Sequence, residues 1–277
     1  MIINADSAQV YRDLPILSAA PKASERARAE HRLYGVLDGA CPGSAADWAE
    51  LAKAEIAQLH AQRRLPILAG GTGLYLRTLL DGIAPVPPID PAVRSEVRAG
   101  RLEENRARLE ALDPAAAERL RPSDSARTAR ALEVILSSGR PLHEWQSNRE
   151  GGIANQVALK PLILLPQRDW LNRRCDARFA GMMDEGAVDE VQALLARNLD
   201  PELPVMRAIG VREIAAYVRG EISRDDAVTA GQHATRRYAK RQYTWFAHQP
   251  PAQWPRFEEP LEGAALDAAL ELVAPSA

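Results

Sequence analysis

Residues 65–80 read LPILAGGTGLYLRTLL. The run from Leu65 to Ala69 is short, apolar and stopped by glycine, which predicts a strand buried on both faces. Gly70, Gly71, Thr72 and Gly73 then turn the chain into a helical pattern. A strand that enters a helix through a tight turn is the unit of a parallel α/β sheet, because parallel neighbours need a crossover between them. Similar apolar runs at Ile2-Ile3, Leu33 to Leu37 and Pro161 to Leu165 predict further strands of this core. Helical patterns follow most of them. SAADWAELAKAEIAQLHAQRR, residues 44–64, has Ser44 at an N-cap position and an apolar stripe at Trp48, Leu51, Ile56 and Leu59.

The alternation breaks at GIAPVPPIDPAVR, residues 82–94, where the prolines from Pro85 to Pro91 forbid a continuing helix or central strand. Asp90-Pro91 then suits an N-cap followed by a first helical position, and LEENRARLEALD and PSDSARTARALEVILSSG read as helices. The expected organisation is a core domain over 1–87, a helical insertion over 88–150, a second part of the core over 151–250 and a tail over 251–277. The tail, Pro-rich and then Ala-rich, predicts no element.

Of 277 residues, 46% are hydrophobic, ample for a core, and the formal net charge is -2. No global field draws such a molecule to nucleic acid, so any polyanion must be met by local basic patches. Arginine supplies 31 of the 35 basic residues, which suits forked recognition of phosphate and is equally what a GC-rich genome produces. Cys41 and Cys175 are too few for a disulfide scaffold or a structural zinc site and fit a reducing cytoplasm. No apolar run approaches the roughly 20 residues of a spanning helix, so no membrane partner is expected. The five histidines show no ligand spacing, no serine sits in a nucleophile elbow, and none of Lys22, Lys53, Lys160 and Lys240 follows a glycine as a P-loop lysine must.

Several features could carry chemistry. In MIINADSAQVYRDL, residues 1–14, Asp6 stands at the carboxyl end of a strand, the edge where parallel sheets bind ligands. Its carboxylate can take a proton from an amine or hydroxyl, or simply cap a following helix. The glycines at 70–73 can present backbone amides to an anion, or serve tight packing. HATRRYAKRQYTWF, residues 233–246, interleaves Arg236, Arg237, Lys240 and Arg241 with Tyr238, Tyr243, Trp245 and Phe246. On a helix the cations make one face and Tyr238, Gln242 and Trp245 another, which suits RNA or an ordinary amphipathic helix. Arg127 and Arg130, and Arg174 and Arg178, pair on helix faces as anionic substrates require.

The ordered set INADSAQVYRDL, HRLYGVLDG, SAADW, PILAGGTGLYL, DPAVR, SARTARALEV, RRCDARFAGMMDEG, RAIGVREI and ATRRYAKRQYTWF resembles the tRNA dimethylallyltransferase family from residue 2 to about 247. The resemblance implies a P-loop-NTPase-like parallel sheet flanked by helices, with a helical insertion. It implies transfer of a prenyl group from dimethylallyl diphosphate to the exocyclic amine of the adenosine 3′ of the tRNA anticodon, by a cytoplasmic monomer with Mg²⁺ as cofactor. By residue-wise match Asp6 is the general base and contacts tRNA together with Ser7, Ala8 and Gln9. Arg178 stabilises the departing diphosphate. Thr72, Arg94, the run Ala126, Arg127, Thr128, Ala129 and Arg130, and the run Arg207, Ala208, Ile209, Gly210, Val211 and Arg212 match further tRNA contacts. Arg237 and Lys240 on the basic aromatic helix would flank the anticodon stem.

The sequence departs from the family pattern twice. The family opens with a strand, a P-loop resembling GPTASGKT and a helix, so the resemblance implies that roughly 35 residues, including the P-loop and its Mg²⁺ ligand, belong ahead of Met1 and that the chain without them is impaired. Leu17-Ser18-Ala19-Ala20-Pro21 stands where a Gly-Thr-Ala-Lys-Pro stretch is usual. An RNA-binding pseudoenzyme and a small-molecule P-loop kinase relative are the alternative readings. The second would not need the Arg127, Arg207 and Arg236 patches.

Overall fold

The computed structural model describes residues 1–274 as two compact units, Met1–Leu79 with Gln156–Ala277 and Leu80–Asn155. The first unit begins with β1 (Ile2–Asn4), α1 (Ala23–Arg28), β2 (His31–Arg32), α2 (Ala45–Ala61), β3 (Ile67–Ala69) and α3 (Gly73–Asp81), whose last residues lead into the second unit. The second unit holds α4 (Pro91–Ala99), α5 (Leu102–Leu112), α6 (Pro114–Arg119), α7 (Ser125–Ser138) and α8 (Leu142–Gln146). The chain then returns to the first with β4 (Ile163–Leu164), α9 (Arg168–Glu185), α10 (Ala187–Ala196), α11 (Val211–Val218), α12 (Arg224–His248), β5 (Arg256–Phe257) and α13 (Ala264–Glu271).

The class is α/β. β1 lies between β2 and β3, parallel to both, with Ile2 opposite His31 and Ile67, and Asn4 opposite Ala69. The carboxyl ends of β1 and β3 therefore stand side by side, and the turns that leave them meet. Ser44 caps α2, accepting the Asp47 N–H at 3.1 Å. The helix buries Trp48, Ala49, Ala52, Ile56 and Leu59. Burial of side chains such as Ile56 and Leu59 contributes about 1.5–3 kcal/mol each. Leu51, expected in that stripe, is 40% exposed.

Three expectations about strands and one about a helix are corrected. β3 is confined to Ile67–Ala69 and is not buried on both faces, since Ile67 is 49% and Leu65 72% exposed. The second strand ends at Arg32 instead of running to Leu37, because Leu33 and Gly35 both take positive φ and turn the chain away. The Leu33 carbonyl is left to accept Asn4 Nδ2 at 3.0 Å. No helix follows Asp6 directly. Residues 7–10 form turns, and the first helix begins at Ala23. β4 does not join the three-stranded sheet but pairs in parallel with β5, which lies in the stretch read as a featureless tail. The last three residues of that stretch lie outside the described residues.

In the helical unit, Asp90 caps α4 at Pro91 and accepts the Ala92 N–H, while Asp124 caps α7 and Gly139 ends it at φ 68°. Two small cores hold the helices together, Val97, Ala129 and Leu132 in one and Leu109, Ala116, Ala117 and Ala131 in the other. The unit begins at Leu80 and ends at Asn155, wider than 88–150. Its two connecting segments are joined by the antiparallel bridge between Ile83 and Glu150 and by the Asp81–Arg149 ion pair at 3.2 Å, contacts invisible in sequence periodicity.

Candidate active site

Asn4, fully buried, ends β1 and organises the turn after it. Its Oδ1 accepts the Asp6 N–H at 2.8 Å, its Nδ2 donates to the Asp6 carbonyl, and its own carbonyl accepts Trp48 Nε1 at 2.9 Å. Asp6 Oδ1 then accepts the Ala8 N–H at 2.8 Å. An Asx-type turn thus takes the place of a helix start, so the helix-capping reading of Asp6 does not hold. Asn4 is a site residue that sequence reasoning missed. A polar side chain beside two isoleucines was its signal, since buried amides must find partners.

The turn after β3 meets the turn after β1. Thr72 Oγ1 accepts the Ser7 N–H at 2.9 Å and lies 3.2 Å from Ser7 Oγ. The glycines around Thr72 serve tight packing. A Cβ at Gly70 would overlap the Ala5 backbone, one at Gly71 the Gln242 amide, and one at Gly73 the Trp245 ring. Gln242 Nε2 also donates to the Gly71 carbonyl at 2.9 Å. Of the two readings of this turn, close approach of α12 is the one the structure displays.

A cavity of about 640 Å³ lies over these turns, lined among others by Asp6, Ser7, Ala8, Gln9, Thr72, Tyr75, Arg178, Arg207 and Tyr238. Arg178 reaches it from α9. Burial pushes the Asp6 carboxyl above its ordinary value, partly offset by the amides of Ala8 and Gln9 and by the Arg178 charge. A carboxylate so placed is suited to act as a base, since it is desolvated enough to want a proton and lies beside a cation that stabilises its ionised form. Tyr75 is buried and stacks on Trp48 with centroids 4.6 Å apart, and burial raises its phenol, so it stays neutral. The Tyr238 phenol is likewise raised, by burial first and by the Asp6 charge. Sequence placed Tyr238 on the non-basic face of its helix and did not single out Tyr75.

From the 207–212 run, Arg207, Ala208 and Ile209 line the same cavity, while Gly210 at φ 93° and Val211 are buried at the start of α11 and Arg212 is exposed. Arg207 also pairs with Glu202 at 3.0 Å. Arg236 pairs with Asp176 on α9 and, with Arg237 and Lys240, lines a separate groove of about 330 Å³ shared with Arg168, His233 and Tyr243. Arg168 stacks over the Tyr243 ring, 4.8 Å from its centroid.

Arg94 and the run 126–130 belong to the helical unit. There Arg127 is exposed and Arg130 half-buried, while Thr128 and Ala129 are buried, Ala129 in one core with Val97 and Leu132. As folded, the exposed positions of the run are Ala126 and Arg127, with Arg130 partly so. Burial, together with Arg94 and Arg98, lowers the Arg130 guanidinium, and Glu133, 1% exposed, sits 4.0 Å from it.

Among the described residues no group of three or more His, Cys, Asp or Glu side chains could hold a metal. Asp6 is the carboxylate among the cavity-lining residues, and its Oδ1 is already engaged by Ala8. These residues do not by themselves fit a Mg²⁺ site. No described helix is long and apolar enough to cross a membrane.

A parallel sheet edge at which a part-buried carboxylate and a guanidinium line one cavity is the arrangement of an α/β enzyme's site. The chain belongs to the IPP transferase family, whose model matches residues 9–249. It is 61% identical over 258 residues to the tRNA dimethylallyltransferase of Erythrobacter litoralis, covering 93% of this chain and 81% of that protein. Identity to the protein of the same name from Sphingopyxis alaskensis is 60% over 266 residues, covering 96% and 87%. The crystal structure of the tRNA isopentenylpyrophosphate transferase of Bacillus halodurans aligns with TM-score 0.67 at 29% identity, over 98% of this chain and 86% of that one. A eukaryotic dimethylallyltransferase solved acting on tRNA shares the fold, with TM-score 0.72 at 24% identity over 88% of this chain and 62% of the other.

Proposed function

We propose that this protein transfers a dimethylallyl group from dimethylallyl diphosphate to the exocyclic amine of a tRNA adenosine, the one 3′ of the anticodon, in the cytoplasm. The observation that carries this reading is the meeting of Asp6, from the turn after β1, and Arg178, from α9, around one cavity large enough for a flipped base and a short allyl chain. The amine nitrogen attacks the allylic carbon, the carbon–oxygen bond to diphosphate breaks with its electron pair leaving on diphosphate, and the amine proton passes to Asp6. Arg178 stabilises the charge on the departing group. Ser7, Ala8, Gln9 and Thr72 shape the base pocket, and Tyr75 and Tyr238 wall it off from water.

Arg207, Arg237 and Lys240, and Arg94, Arg127 and Arg130 in the helical unit, supply phosphate contacts along the RNA. No step of this mechanism is routed through Mg²⁺. The reading is tested with the full-length protein, labelled dimethylallyl diphosphate and an anticodon stem-loop RNA. Label on the exocyclic amine supports it, and RNA binding without transfer supports the pseudoenzyme reading instead.

A further inference from the structure

Part of the cavity wall beside the Asp6 turn is a loop bonded to a carboxylate from a helix far along the chain. Residues 14–20 fold on themselves through the Ser18 N–H to Leu14 carbonyl, Ala19 N–H to Ile16 carbonyl and Ala20 N–H to Pro15 carbonyl bonds, with Ala19 at φ 54°. A non-glycine residue in the left-handed region persists only where its surroundings enforce it. Glu190 on α10 is bonded to the middle of this loop. Its Oε1 accepts the Ile16 N–H at 2.7 Å and its Oε2 the Leu17 N–H at 2.9 Å.

The loop in turn grips the base pocket. Leu14, Leu17, Ser18 and Ala19 line the cavity, and the Ser18 and Ala19 carbonyls accept Gln9 Nε2 at 3.0 and 2.9 Å. Both bonds come from the amide nitrogen, so they fix which way the Gln9 carboxamide faces. Glu190, the loop and Gln9 form one chain of hydrogen bonds ending in the turn that carries Asp6.

We infer that Glu190 is a positioning residue for nucleoside recognition: by holding the Ile16 and Leu17 amides it keeps the Ser18 and Ala19 carbonyls where they orient Gln9. This rests on the reading of the cavity as a nucleoside pocket. A carboxylate suits this role because it offers one acceptor oxygen to each of two adjacent amides. Glutamine would satisfy one and turn a donor on the other.

The test is Glu190→Gln in the full-length protein, read by amide hydrogen exchange and by prenylation of a stem-loop RNA. Exchange should quicken at residues 16–19 while the rest of the chain keeps its protection. KM for RNA should rise about tenfold, the order of a lost charge-assisted hydrogen bond, with the rate at saturating RNA little changed. Glu190→Asp should recover part of the KM. Unchanged exchange at Ile16 and Leu17, or a fall in the saturated rate at constant KM, overturns the proposal. If the variants fail to fold, exchange in the unsubstituted protein decides: slow amides at Ile16 and Leu17 support the hold, and fast ones overturn it. Failure of the unsubstituted protein to prenylate would sink the proposed function, while the exchange data would still show whether Glu190 holds the loop.

Discussion

Thr72 Oγ1 accepts the backbone N–H of Ser7 across 65 residues of sequence, joining the turns that leave two neighbouring parallel strands. Thr72→Val keeps the shape of the side chain and removes the acceptor, leaving the part-buried Ser7 amide unsatisfied. The variant should lose about 1–3 kcal/mol of stability in urea unfolding and bind RNA more weakly, because the Asp6 turn loosens. An unchanged unfolding midpoint would show that the bond contributes nothing.

Asp6 is raised by burial above the ordinary carboxylate value. As a base it must be ionised, so transfer should fall as pH drops through that raised value, giving an acid limb above the roughly 3.9 of a free aspartate. Stability runs the other way. The folded state holds the Asp6 proton more tightly than the unfolded chain, so its contribution is complete below the unfolded value and is lost as pH rises through the folded one. Asp6→Asn escapes that loss. Its melting temperature should match that of the unsubstituted protein near pH 4 and exceed it at pH 8, and thermal scans that show no widening gap would contradict the assigned burial cost.

Arg237 and Lys240 line a groove with Arg168, His233 and Arg236, the last of which is paired with Asp176. Replacing both by alanine should weaken RNA binding and flatten its dependence on salt, by about 0.7–0.9 in log–log slope for each phosphate no longer neutralised. A slope equal to that of the unsubstituted protein would return this face to plain solvation.

Gly73 and Gly181 separate packing from helix propensity. A Cβ at Gly73 would strike the Trp245 ring, whereas nothing lies within 4 Å of one at Gly181, inside α9. Gly181→Ala should stabilise the protein by about 0.5–1 kcal/mol and Gly73→Ala should destabilise it. Equal effects in thermal melts would refute the packing of α12 on the turn after β3.

The elements with strong local signals were legible in the sequence. Ser44 and Asp90 mark their helices with caps, and the apolar run to Ala69 followed by glycine marks a strand and turn, although the strand is only Ile67–Ala69 and is exposed where burial on both faces was expected. The strand expected at Leu33 to Leu37 failed because Leu33 and Gly35 take positive φ, and the Leu33 carbonyl pairs with the fully buried Asn4 side chain instead of a strand. β5 was missed because two residues, Arg256 and Phe257, carry no periodicity and are strand only through pairing with β4. Asp6 at a strand end and Arg178 in an arginine pair were visible as candidates, their roles were reached through resemblance, and the cavity that unites them depends on long-range packing. Glu190 and Tyr75 had no sequence signal beyond ordinary helix positions. For Thr128 and Ala129 the helical period that places Arg127 and Arg130 outside turns these two inward.

The central claim is that Asp6 takes the amine proton while Arg178 attends the diphosphate. The most direct measurement is single-turnover transfer from labelled dimethylallyl diphosphate to a stem-loop RNA by the full-length protein and its Asp6→Asn variant, with RNA affinity measured alongside. The account predicts unchanged affinity and a rate lowered by roughly 10² to 10⁴, the usual range for a lost general base. Transfer by Asp6→Asn at a near-normal rate would contradict it.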